Sequence, residues 1–516
     1  MKRRQFIQTG SIVSLPLMLG SFEVAALSKS SLFNLVNPDD DKILVLVQLN
    51  GGNDGLNMII PIDQYDGLNA VRANLMLPEQ SVLKLSADTG IHPSMTGLHQ
   101  LYQDGKMAVV QSVGYPNQNR SHFRSTDIWT SGSDSNKFVN SGWLGRYFAD
   151  QYPSYPENYP NADYPDPFAI SISGVVSQTC EGYGANFSYT LVSENNIKLI
   201  EETVVRPDEE SCYSNELNFV RTSIKQSNEY ANTVLNAFDK GSNIATYPAD
   251  NRLANQLKII ANLISGGLKT RVYVVNLGGF DTHSNQVQIG EPTVGNHANL
   301  LQILSDAIKI FMDDCTSLGI NERVVGMTFS EFGRQIRSNA SFGTDHGTAA
   351  PLIVFGDCVK QGVFGANPKI DSNITAQEGV PMQYDFRSVY ASILIDWMGA
   401  DEDAIRNVLF SDFQRIPFLK NCSAPSATTD SDQAFYASLS PNPCSSNTYL
   451  NFVNHGRYVH VSLFNALGYQ LTVAVNKTLS HGAHEIAFDM SPYPSGSYYV
   501  RIAIDNQVQT IKVVKV

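Results

Sequence analysis

Apolar residues follow two textures along this chain. From Ile43 to about Met398, short and mostly apolar runs alternate with longer stretches whose apolar positions recur at helical spacing. The runs are Ile43 to Leu49, Met107 to Val113, Phe168 to Ile172, Val272 to Leu277, Val324 to Phe329 and Leu352 to Phe355. Consecutive apolar positions suit strands covered on both faces, as in a parallel sheet. Helices are predicted over Met95 to Tyr102, Asn215 to Phe238, Leu253 to Ser265, His297 to Leu318 and Asp385 to Met398, and from about Ser125 to Thr130. This alternation predicts an α/β fold of three layers with a mostly parallel sheet. Residues 151–166, rich in Tyr, Pro, Asn and Asp, read as an excursion, and Leu191 to Pro207 as an insertion.

Past Cys422 the texture changes. Ser423 to Asp432 is rich in Ser, Thr, Ala and Asp, a linker composition. Beyond Leu439 come short alternating runs, at Tyr449 to Phe452, Val459 to Asn465, Leu471 to Val475, Ala483 to Phe488, Ser497 to Ile504 and Val508 to Val514. They predict a small all-β sandwich. The expected organisation is an export signal over residues 1–28, an α/β domain over 40–420, a linker over 421–438 and a β domain over 439–516.

The signal rests on charge followed by apolarity. Lys2, Arg3 and Arg4 precede Gln5-Phe6-Ile7, an apolar stretch from Ser11 to Gly20 and small residues at Ala25 and Ala26. The apolar core is too short to span a membrane, so it reads as a leader. The paired arginines suggest the twin-arginine type, with an ordinary Sec leader as the other reading. No later stretch looks transmembrane.

Across 516 residues, 42% are hydrophobic and 16% charged, with a formal net charge of -13. That acidic balance argues against a nucleic-acid partner. None of the six cysteines forms a Cys-x-x-Cys pair, which argues against a zinc ribbon. Cys180 with Cys212 and Cys422 with Cys444 are the pairings nearest in sequence.

Chemistry gathers where predicted strands end, the place ligands collect in open α/β sheets. Four loops stand out: Asn50-Gly51-Gly52-Asn53-Asp54-Gly55-Leu56-Asn57, Arg120-Ser121-His122-Phe123-Arg124-Ser125, Asp281-Thr282-His283, and Ser330 to Gly347. Asp54, Asp281, His283, Glu331, Asp345 and His346 suit a divalent ion such as zinc, manganese or calcium. Ser121 is the candidate nucleophile, beside His122. Arg124 and Arg334, with Arg120 and Arg337 as further candidates, suit the nonbridging oxygens of an anion. Taken singly, each element also has a structural reading, as a turn, a cap or a surface pair.

As a group these motifs resemble the family of unknown function DUF1501. The resemblance is carried by Leu49 to Asn57, Ser121-His122-Phe123, Gly278-Gly279-Phe280-Asp281-Thr282-His283, Ser330-Glu331-Phe332-Gly333-Arg334, Gly343-Thr344-Asp345-His346-Gly347 and Asp385-Phe386-Arg387-Ser388-Val389-Tyr390. Those proteins are in turn similar to the alkaline phosphatase and sulfatase superfamily. That resemblance implies strand-end Asp, His and Glu ligands for one or two metals and a hydroxyl or modified-cysteine nucleophile. The chain departs from the superfamily at Asn50, where a metal-binding Asp is usual, and at Phe332, where a histidine is usual. It also lacks a Cys-x-Pro-x-Arg motif, so a formylglycine sulfatase is not expected.

Leu439-Ser440-Pro441-Asn442-Pro443, Asn465 to Gly468, Asp489 to Ile502 and Lys512-Val513-Val514-Lys515 resemble a type IX secretion sorting domain. That resemblance implies the type IX machinery as a partner and delivery to the cell surface or medium. The whole reads as an exported metal-dependent hydrolase of phosphate or sulfate esters, acting on an anionic ester or polysaccharide. The alternative is a non-catalytic surface protein of phosphatase-like fold that binds a glycan or polymer.

Overall fold

The computed structural model describes residues 41–172, 177–191, 227–411, 413–420, 437–465, 470–504 and 507–516. The expected export signal, most of the expected linker and most of the Leu191 to Pro207 stretch read as an insertion lie outside them. The chain divides into two compact units, the larger taking in Pro38–Ala424 and the smaller Pro425–Val516.

The larger unit is built on one nine-stranded sheet. Its strands are β1 (Ile43–Asn50), β2 (Met107–Gly114), β3 (Ala169–Ile172), β4 (Ser188–Leu191), β5 (Val272–Gly278), β6 (Val324–Phe329), β7 (Ala350–Phe355), β8 (Gly362–Phe364) and β9 (Tyr384–Asp385). Their order is β8-β2-β7-β6-β1-β5-β3-β4, with β9 also paired to β2. Every pairing is parallel except the two that β7 makes, with β2 and β6. The run expected at Leu352 to Phe355 is thus a strand, but it opposes its neighbours. The 20-residue connection from β6 reverses at the ligand edge instead of crossing back, and an antiparallel pair needs no crossover.

The strands are apolar on both faces because both are covered. Ile43, Val45, Val47 and Leu49 of β1 join one buried cluster, and Leu44 and Leu46 join another. Helices α1 (Thr96–Gln103), α4 (Arg252–Ser265) and α5 (Asn296–Ser317) pack on the first face, together with the helical residues 227–240. Helices α2 (His122–Ser131), α3 (Trp143–Gln151), α6 (Phe386–Ser392) and α7 (Glu402–Leu409) pack on the second. This is the three-layer α/β arrangement that the apolar periodicity predicts. A Leu or Val buried at this depth is worth about 1.5–3 kcal/mol, so the sheet is a stiff base for the loops at its edge.

The second unit consists of two antiparallel sheets. One holds β10 (Ala437–Ser440), β11 (Asn447–His455) and β14 (His481–Asp489). The other holds β13 (Gln470–Thr478), β12 (Tyr458–Asn465), β15 (Gly496–Ile504) and β16 (Gln507–Lys515), in that order. Leu450 and Phe452 from one and Val461, Leu463, Val500 and Ile502 from the other share a buried cluster, so the unit is a sandwich.

Both guessed cysteine pairs fail. Cys180 and Cys444 are free thiols buried in the two cores, as is Cys315, and Cys358 is disulfide-bonded.

Candidate functional site

Strands β1, β5 and β6 are parallel neighbours, and β2 runs in their direction because β7 opposes both β2 and β6. Their carboxyl ends therefore share one edge of the sheet, and the loops after them meet there. Gly51, with φ 122°, lets two of these loops touch. A Cβ at this position would stand 2.3 Å from the Asp281 nitrogen, so only glycine fits. Gly343 plays the same part between the loop after β6 and the loop after β5, since a Cβ there would lie 2.4 Å from the His283 carbonyl carbon.

Three imidazoles and a carboxylate converge at this edge. Ligand atoms of His122, Asp281 and His346 lie within 4.8 Å of one another. Asp281 Oδ1 is 3.1 Å from Nε2 of both His283 and His346, and Asp281 Oδ2 is 3.5 Å from His122 Nε2. The Nε2 atoms of His283 and His346 are 2.9 Å apart.

The opposite ring nitrogens are all engaged. His122 Nδ1 is 2.8 Å from Glu331 Oε1, His283 Nδ1 is 2.7 Å from Asp345 Oδ1, and His346 Nδ1 is 2.8 Å from the Arg120 carbonyl oxygen. Carboxylate and carbonyl oxygens only accept, so each Nδ1 carries a proton; in the neutral form of each ring this leaves Nε2 with its lone pair. Several lone pairs and an anionic oxygen then face one another. Such a cluster is relieved by a cation at its centre or by an added proton. Imidazoles tied through the far nitrogen to a carboxylate or carbonyl are the usual support of a metal ligand, and a donor set of imidazole nitrogens with one carboxylate suits zinc.

Arg334 holds the frame from beneath. It is fully buried, and it donates to the carbonyls of Gly51, Gly52, Phe280 and Thr344 and to Asp281 Oδ1 at 2.7 Å. It is therefore no clamp for a substrate anion. Burial pushes the Asp281 carboxyl upward, but the hydrogen bond and charge of Arg334 outweigh this, and His346 and His283 add to the effect. The group sits below its ordinary range. Phe332, at the position where a ligand histidine was expected, packs its ring 4.9 Å from that of His122 and 4.7 Å from that of His346. It walls the cluster instead of joining it.

The other expected residues fall in different places. Asp54 does not reach the cluster. It is buried against Arg72, which spans both its oxygens at 3.1 and 3.0 Å, and it accepts from Gln286 Nε2 at 2.6 Å. Burial raises its pKa, and the Arg72 charge, with help from His297 and Gln286, brings it below the ordinary value. Glu331 is buried and accepts from the Gly51 N–H at 2.8 Å as well as from His122. Its place, like that of Asp345, is behind a histidine. Arg124 donates to the carbonyls of Ser135 and Lys137 at 3.1 and 2.6 Å and stacks on Phe138, so it serves its own loop. Ser121 is exposed at the cap of α2, next to His122, and its hydroxyl makes no cap hydrogen bond.

Sequence reasoning placed His122 with the nucleophile, whereas its Nε2 faces the ligand cluster. It also passed over Gln286. The Gln286 Oε1 accepts from Thr282 at 3.0 Å and Thr344 at 2.9 Å, which ties the Asp281–His283 and Asp345–His346 loops to Asp54. A glutamine in a polar loop gives no signal in the sequence. Its partners stand 4, 58 and 232 residues away.

Residues 249–408 match the model of the protein family of unknown function DUF1501, and residues 438–516 match that of the secretion system C-terminal sorting domain. The Leu49 to Asn57 and Ser121 to Phe123 motifs lie outside the first match. No curated protein matches the chain. Similar solved structures include a protein of the alkaline phosphatase superfamily from Vibrio parahaemolyticus, at 9% identity and TM-score 0.32 over 91% of this chain and 78% of that one. A sulfatase from Pseudoalteromonas sp. aligns at 11% identity and TM-score 0.33, over 87% and 84%. A protein described with the metabolism of multiple glycosaminoglycans by Bacteroides thetaiotaomicron aligns at 8% and 0.36, over 87% and 90%. The sorting domain implies the type IX machinery as partner and export to the surface or medium. Among the described residues, no helix is long and apolar enough to cross a membrane.

Proposed function

We propose that the larger unit is a metal-dependent hydrolase of phosphate or sulfate esters. One observation carries this reading. The Nε2 atoms of His122, His283 and His346 turn toward Asp281, and every Nδ1 is held by an oxygen acceptor. A divalent ion held by these four residues would supply Lewis-acid polarisation of the ester and charge stabilisation during its cleavage.

The chain's own residues supply the rest. Glu331, Asp345 and the Arg120 carbonyl keep the protons on Nδ1 and so hold the ligand nitrogens bare. Arg334 fixes the orientation of Asp281 and keeps it ionised. Ser121 places an exposed hydroxyl beside His122, as a nucleophile would require. Export by the sorting domain would put this activity at the cell surface or outside the cell.

The test is metal analysis followed by an ester panel. Purified protein reconstituted with zinc, manganese or calcium should retain one ion per chain after dialysis. It should hydrolyse an aryl phosphate or aryl sulfate, and His346→Ala should lose both ion and turnover. Ion retention without turnover on any ester would favour the non-catalytic, polymer-binding alternative.

A further inference from the structure

A second set of buried polar groups joins the loops that carry the cluster. Arg72 ends the helix Tyr65–Arg72, spans both oxygens of Asp54, and donates to the carbonyls of Gln335 and Ile336 at 2.9 and 2.7 Å. Gln286 is wholly buried. Its Nε2 donates to Asp54 Oδ2 at 2.6 Å, and its Oε1 accepts from Thr282 Oγ1 at 3.0 Å and Thr344 Oγ1 at 2.9 Å. Its main chain is fixed as well, the N–H donating to the Phe342 carbonyl at 2.8 Å and the carbonyl accepting from the His297 N–H at 3.1 Å. The ionised Asp54 only accepts, so the amide nitrogen must face it and the amide oxygen must face the two hydroxyls. A methionine would offer none of these bonds, and an ionised glutamate would set one carboxylate against another.

The two threonines lie inside the segments that bear the cluster. Asp281 and His283 are exposed, and Thr282 between them is buried; Thr344 is buried, and Asp345 and His346 beyond it are half-buried. Each hydroxyl is thus the inward anchor of a stretch whose neighbouring side chains turn outward. We infer that Gln286 is a positioning residue for the candidate metal centre: it fastens the Asp281–His283 and Asp345–His346 segments to the buried Arg72–Asp54 pair, and so sets the spacing of Asp281, His283 and His346. This inference rests on the proposed hydrolase reading and deepens it. The anchor is firm, because parting a buried ion pair strands a charge. Removing the outer partner of a metal ligand costs about 10- to 100-fold in metal affinity. Gln286 stands one step further back, and the Thr344 N–H also donates to the Thr282 carbonyl at 3.1 Å. Its loss should therefore loosen the two segments without parting them, at the lower end of that range.

The test uses the full chain as wild type, Gln286→Met, Thr344→Val, the double variant, and Asp314→Asn as a control. Asp314 accepts from the Ile244 and Ala245 N–H groups, about 27 Å along α5 from its start at 1.5 Å per residue. Thermal midpoints are measured, and then zinc affinity by competition with a chromogenic chelator well below those midpoints. Gln286→Met should bind zinc about tenfold more weakly, with stoichiometry retained at saturation. Thr344→Val, which leaves Oε1 its bond from Thr282, should show a smaller loss. Adding Thr344→Val to Gln286→Met should cost nothing further, because the two act through one contact. Asp314→Asn should lower the midpoint and leave zinc affinity unchanged. Zinc affinity within about twofold of wild type in both Gln286→Met and Thr344→Val, or a loss in Asp314→Asn equal to theirs, overturns this inference and leaves the hydrolase reading standing. Absence of zinc binding in wild type and variants alike overturns the hydrolase reading, and this inference with it.

Discussion

Replacing Glu331 by Gln separates a metal ligand from the support of one. Glu331 Oε1 accepts both from His122 Nδ1 and from the Gly51 N–H at 2.8 Å. The other oxygen, Oε2, lies 3.3 Å from Ser330 Oγ, which already donates to the Leu49 carbonyl and accepts from the Asn53 N–H. A glutamine has the same shape. With its oxygen at Oε1 it keeps both acceptor bonds, and its amide can donate to Ser330 Oγ. No buried polar atom is orphaned, so Glu331→Gln should fold with stability close to wild type. What changes is the charge behind His122. A neutral acceptor gives roughly half the strength of a charge-assisted bond, and loss of such a support costs about 10–100-fold in metal affinity. Zinc affinity, measured by competition with a chromogenic chelator, should therefore fall by that factor with stoichiometry retained at saturation. Long-range nitrogen–proton NMR should still find the His122 proton on Nδ1. Asp281→Asn and His346→Ala, which remove ligand atoms, should fall further and lose stoichiometric binding. If Glu331→Gln loses metal as completely as those two, Glu331 is itself a ligand. If its affinity stays within about twofold of wild type, the His122–Glu331 contact does not support the site and the reasoning fails.

Three further outcomes follow from the same geometry. Asp54→Ala leaves Arg72 as an uncompensated buried charge and should cost about 3–5 kcal/mol in a denaturant titration, yet the folded protein should bind metal at wild-type stoichiometry, which a ligand role for Asp54 would forbid. Arg334→Met should be similarly destabilising, and it should also weaken metal binding because Asp281 loses its 2.7 Å partner; a variant as stable as wild type would contradict the role given to Arg334. Burial holds His297 down to about 4 and, with the His297 charge adding, His92 down to about 3. In the unfolded chain both take up protons near pH 6.5. The unfolded state therefore binds more protons between that pH and the folded values, and stability must fall as pH drops below about 6.5. Each histidine should contribute about 2 kcal/mol of loss between pH 6.5 and 5, and His92→Gln should show a shallower pH slope than wild type in chemical denaturation.

Mostly apolar runs of four to seven residues were enough to place the main strands, because a strand buried on both faces carries few polar positions to blur its limits. They could not show that Ala350–Phe355 opposes its neighbours, since direction leaves no trace in an apolar run. The helical spacing of the layers and the shift to period two beyond Leu439 were legible for the same reason: burial of one face sets the period. Residue chemistry likewise singled out Asp281, His283 and His346, which the fold brings side by side.

Which of the remaining polar residues touch the site was decided by tertiary structure alone. Glu331 and Asp345 read like ligands, but the fold places them behind His122 and His283. Arg334 read like an anion clamp, but the fold closes the carbonyls of Gly51, Gly52, Phe280 and Thr344 around it. Asp54 stands in a loop that looks like the others, yet the helix Tyr65–Arg72 delivers Arg72, 18 residues on, to it. The amino-acid sequence by itself determined the layers, the strand ends and the inventory of acids, histidines and arginines, because those follow from local period and composition. Only the folded chain sorted that inventory into groups that face one another at the strand ends, groups that stand behind them and groups that serve the frame. That sorting depends on which buried groups satisfy one another across separations of up to 283 residues, and a buried polar group left without a partner costs too much to remain so.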